Sequence, residues 1–196
     1  MTKPIEAVDL RAIRLAAGPH VEDEDWKTSE ALKRHFAAAK LDRDPLFLTE
    51  DEFFQVAHWK LITQYGRAAR HLEKNRADQI EHVTGHAFAF SDPDDPNLEL
   101  DVRVQILRVL PGVGMGVASA ILALCDPESY APIDFRVWRQ LFGVDLAMFD
   151  LPEYRRYMAR LRELVAELRR IDPEGGWTVQ LVDYYCWERD KFPASS

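Results

Sequence analysis

A five-residue bend, Leu110-Pro111-Gly112-Val113-Gly114, lies between two apolar helical stretches and constrains this chain more than any other feature. Upstream, Val102, Ile106, Val109 and Leu110 recur at helical spacing; downstream, Val117, Ala118, Ile121 and Leu122 do the same. A proline and two glycines within the bend leave room for a tight hairpin and nothing longer. Glycine reaches positive φ and, lacking a Cβ, lets another backbone come close. The helix after the bend starts near Met115. Its unpaired N–H groups and the positive end of its dipole therefore face whatever sits at the hairpin. That arrangement suits a phosphate group.

The rest of the chain reads as further helix. Segments at about 6–17 and 29–41 are amphipathic. Thr49-Glu50-Asp51-Glu52 is a capping box. The helix it opens carries Phe53, Phe54, Val56, Ala57, Leu61 and Ile62, a face broad enough for a central position. Gly66 is expected to break it, with helix resuming over 67–74 and again over about 77–88. Ser91 to Asn97 holds two prolines and three aspartates and reads as loop. A short helix is expected from Asp134 to Leu141, ended by Gly143. The strongest amphipathic stripe runs over about 152–171, and a last helix over about 177–189. No stretch alternates as a strand would. The expectation is an all-α orthogonal bundle of 196 residues, one domain or two small lobes.

No apolar run approaches membrane-spanning length, and the N-terminus carries no signal-peptide core, so a cytoplasmic protein is expected. Two cysteines, Cys125 and Cys186, are too few for an iron–sulfur cluster and read as buried thiols. The formal net charge is −8, which opposes nucleic-acid binding unless charge is segregated. It is partly so. Acid clusters at Glu22 to Asp25 and around Asp92 to Asp101; base clusters at Arg136, Arg139, Arg155, Arg156, Arg160, Arg162, Arg169 and Arg170.

Residues 110–122 resemble the helix-hairpin-helix of the DNA repair glycosylase superfamily. Tyr130-Ala131-Pro132-Ile133-Asp134-Phe135-Arg136-Val137-Trp138-Arg139 resembles the segment bearing that family's catalytic aspartate, and the gap from hairpin to aspartate fits. The resemblance covers about residues 100–143. It implies a DNA-glycosylase-type bundle, with the hairpin motif at about 101–125 and the aspartate segment at 130–142. It implies duplex DNA as partner. The backbone at Leu110, Gly112, Val113, Gly114 and Gly116 would grip a phosphate, often with a bound monovalent cation, with Arg136 and Arg139 as further DNA contacts. Family members that also cut the strand carry a lysine two residues after the second hairpin glycine. Gly116 stands there, and glycine offers no nucleophile. Hydrolytic release of a flipped base without strand cleavage is what remains.

Asp134 is the candidate catalytic group. A carboxylate near the sugar stabilises a cationic transition state or orients the attacking water. The same residue type at a helix start is also a good N-cap. Lys60, on the helix with the broad apolar face, is a second candidate, as a desolvated amine or a DNA contact; a lysine there can also snorkel to solvent. The segment Trp59-Lys60, followed by Arg67, Arg70 and Asn75, is similar to uncharacterised bacterial relatives of the superfamily. Trp59, Trp138, Tyr184, Tyr185 and Trp187 are candidates to stack on an extruded base, with Trp59, Trp138 and Tyr185 preferred. His82 and His86 have metal-binding spacing but no third ligand, so no metal is expected. Two other readings fit these residues: a non-catalytic helix-hairpin-helix DNA-binding protein, and the same fold recruited to a non-DNA ligand or a protein partner, which the net charge favours.

Overall fold

The computed structural model describes residues 3–17 and 23–191. Among them are ten α-helices, two short 3-10 turns and no strand. The helices are α1 (Ala7–Ala17), α2 (Glu24–Asp42), α3 (Glu50–Leu61), α4 (Tyr65–Leu72), α5 (Ala77–Ala89), α6 (Pro96–Leu107), α7 (Met115–Cys125), α8 (Phe135–Phe142), α9 (Leu151–Ile171) and α10 (Val179–Lys191). None among the described residues is long and apolar enough to cross a membrane.

Local chemistry sets most helix ends. Thr49 and Glu52 close the expected capping box around the start of α3. Asp95 accepts the first N–H groups of α6, and Pro96 occupies the first turn, where its missing N–H costs nothing. Gly143 ends α8 in the left-handed conformation, with φ of 70°. Asp150 and Glu153 form a second box at α9.

Two boundaries differ from expectation. Helix α2 begins at Glu24, a turn before Ser29, because Asp23 accepts from the N–H groups of Asp25 and Trp26 and acid suits the positive dipole end. Glu22, from the same acidic cluster, lies outside the described residues. The break after α3 falls at Ile62, with φ of 38°, and Gly66 lies inside α4. Ile62 itself takes the positive φ and the chain turns through a 3-10 bend over Ile62–Gln64, so the glycine is not needed for it.

The centre of the molecule is α7. Met115 and every residue from Val117 to Cys125 are buried. Helices α3 and α2 cross it on one side, and α6 lies beside it. The C-terminal helices form a second set: α8 and α9 pack on α10, and α1 returns to pack on α9 and α10. Ile5 N–H donates to the Gln140 carbonyl at 2.8 Å, stitching the N-terminal segment to α8. One contiguous apolar cluster joins both sets. The cleft that matters opens where α2, α3 and α10 meet the loop before α8.

Candidate functional site

The loop from Tyr130 to Asp134 has almost no backbone partners of its own, so side chains from three helices hold it. Tyr154 Oη on α9 donates to the Ala131 carbonyl at 2.9 Å, and Tyr157 Oη lies 3.4 Å from the Pro132 carbonyl. Ile133 N–H donates to Ser119 Oγ on α7 at 3.0 Å. Ser119 in turn donates to the Gly116 carbonyl at 3.0 Å. Lys60 Nζ donates to the Ile133 carbonyl at 2.7 Å. Buried backbone groups require such partners. Their combined effect is to register the aspartate loop against the hairpin helix.

Asp134 follows directly. Its Oδ1 accepts from Arg136 N–H at 2.8 Å and caps α8, as expected of an aspartate at a helix start. Its Oδ2 lies 3.6 Å from Lys60 Nζ. The Asp134 side chain is 23% exposed and that of Lys60 14%, so both reach a cleft rather than bulk solvent.

That cleft has two parts. An inner pocket of about 110 Å³ is walled by Trp59, Tyr184 and Trp187, with Asp25, Ser29, Lys60, Asp134 and Asp183 as its polar groups. It opens into a groove of about 740 Å³ that runs past Gly116, Ile133 and Phe135 toward Arg136 and Leu146. Asp134 and Lys60 line both. The structure thus brings together Asp134, Lys60, Trp59 and Gly116. A Cβ built on Gly116 would lie 3.7 Å from Lys60 Cε, so the lysine fills the space in front of the glycine.

The hairpin lies at the start of the same helix. Gly112 has φ of +81°, and a Cβ there would lie 2.9 Å from Leu72 N, so both conformation and space demand glycine. Leu110 and Val113 are 3% and 6% exposed, backbone included, and anchor the bend in the core, so they do not face a phosphate as the sequence suggested. Gly112 and Gly114 are exposed. Asn75 Nδ2 braces the bend, donating to the Leu72 carbonyl at 2.7 Å and the Pro111 carbonyl at 2.8 Å. Gly114 starts α7 with no side-chain cap, unlike the Asp-capped and Thr-capped starts of α2, α3, α6 and α8.

Other expected site residues lie elsewhere. Trp138 is 3% exposed and packs between Phe142 and Phe149, under Arg156. Tyr185 is 1% exposed and packs on Trp177. Neither lines the cleft, because α8 and α10 turn those rings into the core; Tyr184 and Trp187 stand at the pocket instead.

The basic cluster is not a bare cationic surface. Arg136 pairs with Asp190 at 3.1 Å, and Arg139 with Asp145 at 2.6 Å and Asp190 at 3.2 Å. Arg155 is paired to Asp101, Arg160 to Glu163 and Glu6, and Arg169 to Glu128. The exposed cations beside the hairpin sit on and just after α4. The side chains of Arg67 and Lys74 have no ionic or hydrogen-bond partner among the described residues, and that of Arg70 donates only to His71. His82 and His86 turn Nδ1 to carbonyls of their own helix.

Sequence reasoning missed Asp183 and Asp25, which line the pocket, and Ser119, which holds the loop before Asp134. A single carboxylate inside the apolar run Leu181 to Cys186, and a single hydroxyl inside α7, were the signals available. Burial raises the Asp183 pKa to about 7. The Tyr157 hydrogen bond and the Lys60 charge work against that rise, and the Asp134 charge adds to it.

No family model, curated protein or solved structure matches this chain.

Proposed function

We propose that this is a DNA-glycosylase-like protein that binds duplex DNA, extrudes one nucleotide and hydrolyses the N-glycosidic bond of a damaged or modified base. One observation carries the reading: Asp134 stands at the rim of an aromatic-walled pocket that opens onto the start of the hairpin helix. Flipping enzymes need such a pair of features, a backbone grip and a stacking pocket with a carboxylate near the sugar. Trp59, Tyr184 and Trp187 would stack on the base. Asp134 would stabilise the cationic sugar and take the proton of the attacking water.

The phosphate grip would come from the exposed amides at Gly112 and Gly114 and the uncapped start of α7. Such contacts position the duplex without reading its sequence. The cations on and just after α4, Arg67, Arg70 and Lys74, extend that grip better than Arg136 and Arg139, whose charge is already met by Asp145 and Asp190. A monovalent cation at the bend would be held by oxygens. Asn75 Oδ1, buried beside the hairpin with no partner among the described residues, fits that chemistry. Such an ion would neutralise charge between hairpin and phosphate.

The test is incubation with a panel of duplexes, each bearing one modified base, followed by alkali to reveal abasic sites. Strand breaks appearing only after alkali, from at least one duplex, are the expected result. Salt-dependent binding with no release from any member would instead mark a non-catalytic DNA-binding protein. Absence of binding at low salt would point to a non-DNA ligand.

A further inference from the structure

Asp183 is 6% exposed, yet it lines the inner pocket together with Asp134 and Lys60. Helix α10 carries it there one turn before Trp187, on the same side of the helix. Tyr157 on α9 donates to Asp183 Oδ1, which leaves Oδ2 to carry a proton. The titratable groups around it are Tyr157 on α9, Lys60 on α3, Lys33 and Asp25 on α2, Asp134 before α8 and Cys186 one turn away on α10. Burial dominates that set, so Asp183 holds its proton up to about pH 7. The Asp134 side chain is 23% exposed and faces an ammonium. Three carboxyl groups line the pocket; Asp25 is already paired with Lys191 at 3.0 Å, and the other two, in unlike surroundings, divide into an acid and a base.

We propose that Asp183 is the acid of this pocket, giving its proton to a ring nitrogen of the extruded base, and that the pocket is therefore built for a neutral base that departs only when protonated. This rests on the reading of the pocket as a site for an extruded nucleotide. As the C1′–N bond breaks, its electron pair goes to the base, which leaves neutral with the Asp183 proton. Water adds to C1′ and its proton passes to Asp134. Solvent then returns a proton to Asp183 as Asp134 loses one, so one water is consumed. A base already cationic, such as 7-methylguanine, leaves without that proton.

Two measurements on the full chain test this. The first needs no DNA. Carboxyl-carbon NMR of aspartate-labelled protein, assigned with Asp183→Asn, should give Asp183 a midpoint near 7 that falls in Asp134→Asn. A midpoint in the ordinary aspartate range would overturn the proton-donor role while leaving the glycosylase reading intact. The second uses single-turnover release from duplexes carrying hypoxanthine, 8-oxoguanine or 7-methylguanine. Asp183→Asn keeps an acceptor for Tyr157. It should lose about 100-fold or more on a neutral base and under about 10-fold on 7-methylguanine, with partial rescue by Asp183→Glu. Equal losses on both kinds of base, or no loss, would overturn the acid role alone. Release from no duplex by the unaltered protein would bring down the nucleotide reading and this proposal with it.

Discussion

Lys60 Nζ lies 3.6 Å from Asp134 Oδ2 and donates to the carbonyl of the residue before it, Ile133, at 2.7 Å. A lysine from α3 thus holds both the backbone and the carboxylate of a loop 73 positions further on. The contact joins the two sets of helices at the cleft. It also explains why α3 keeps a charged group at the end of its inward face.

Asp134→Asn should abolish base release and leave DNA affinity within severalfold. Asparagine caps a helix about as well as aspartate, so the thermal midpoint should move little. Single-turnover release beside a melting curve reads both. Release at the unaltered rate would remove Asp134 from the chemistry.

Ser119→Ala should destabilise by about 1–3 kcal/mol, because the buried Ile133 N–H loses its acceptor. It should also slow base release without weakening DNA binding, since Ser119 sets Asp134 and not the hairpin surface. Denaturant melts and binding titrations separate the effects. An unchanged melt would show that the loop is held without this bond.

The hairpin glycines should behave differently. Gly112→Ala meets Leu72 N and an unfavourable positive φ, and should cost on the order of 1–3 kcal/mol. Gly114 has φ of −88° and open space at its Cβ position, so Gly114→Ala should leave the melt nearly unchanged. If a phosphate approaches that amide, the same change should weaken duplex binding about 10-fold. Equal binding would place the phosphate elsewhere.

Paired and unpaired arginines should contribute unequally. Arg67→Ala with Arg70→Ala should lower duplex affinity and flatten its salt dependence by roughly one contact per charge lost. Arg139→Ala should do less, because Asp145 and Asp190 already offset its charge. A titration over a range of salt reads the slopes. A steeper loss in Arg139→Ala would reverse the assignment.

Glu52 governs acid stability. Burial alone would raise its pKa, but hydrogen bonds from Arg43, the Thr49 N–H and His35 outweigh burial and hold it down to about 2. A depressed carboxylate stabilises the fold above its ordinary value of 4.5 and loses that contribution as pH falls toward 2. The loss across that window should be on the order of 3 kcal/mol, from about 1.4 kcal/mol per pKa unit. Glu52→Gln should be less stable at pH 7 and lack this acid step. Parallel melts from pH 7 to pH 2.5 would show it; coincident curves would refute it.

Much of the fold is legible from residue order alone. Helix period, the Thr49–Glu52 box, Pro96 and Gly143 all act within a turn of themselves, so local spacing suffices to place them. The hairpin is equally local: two glycines and a proline admit one kind of bend. The pocket is not local. Which face of α10 meets it decides that Tyr184 and Trp187 stand at the cleft while Tyr185 is core, and one helix period allows either. The partners of Arg136 and Arg139 come from residues up to 54 positions away, so their neutralisation is invisible in a string of arginines. Asp183 shows the division most clearly. Its position in an apolar run marks it as unusual, but only the packing of α2, α3, α9 and the Asp134 loop around it sets the surroundings that hold its proton. Desolvation and charge act through space, and the chain order does not encode those distances.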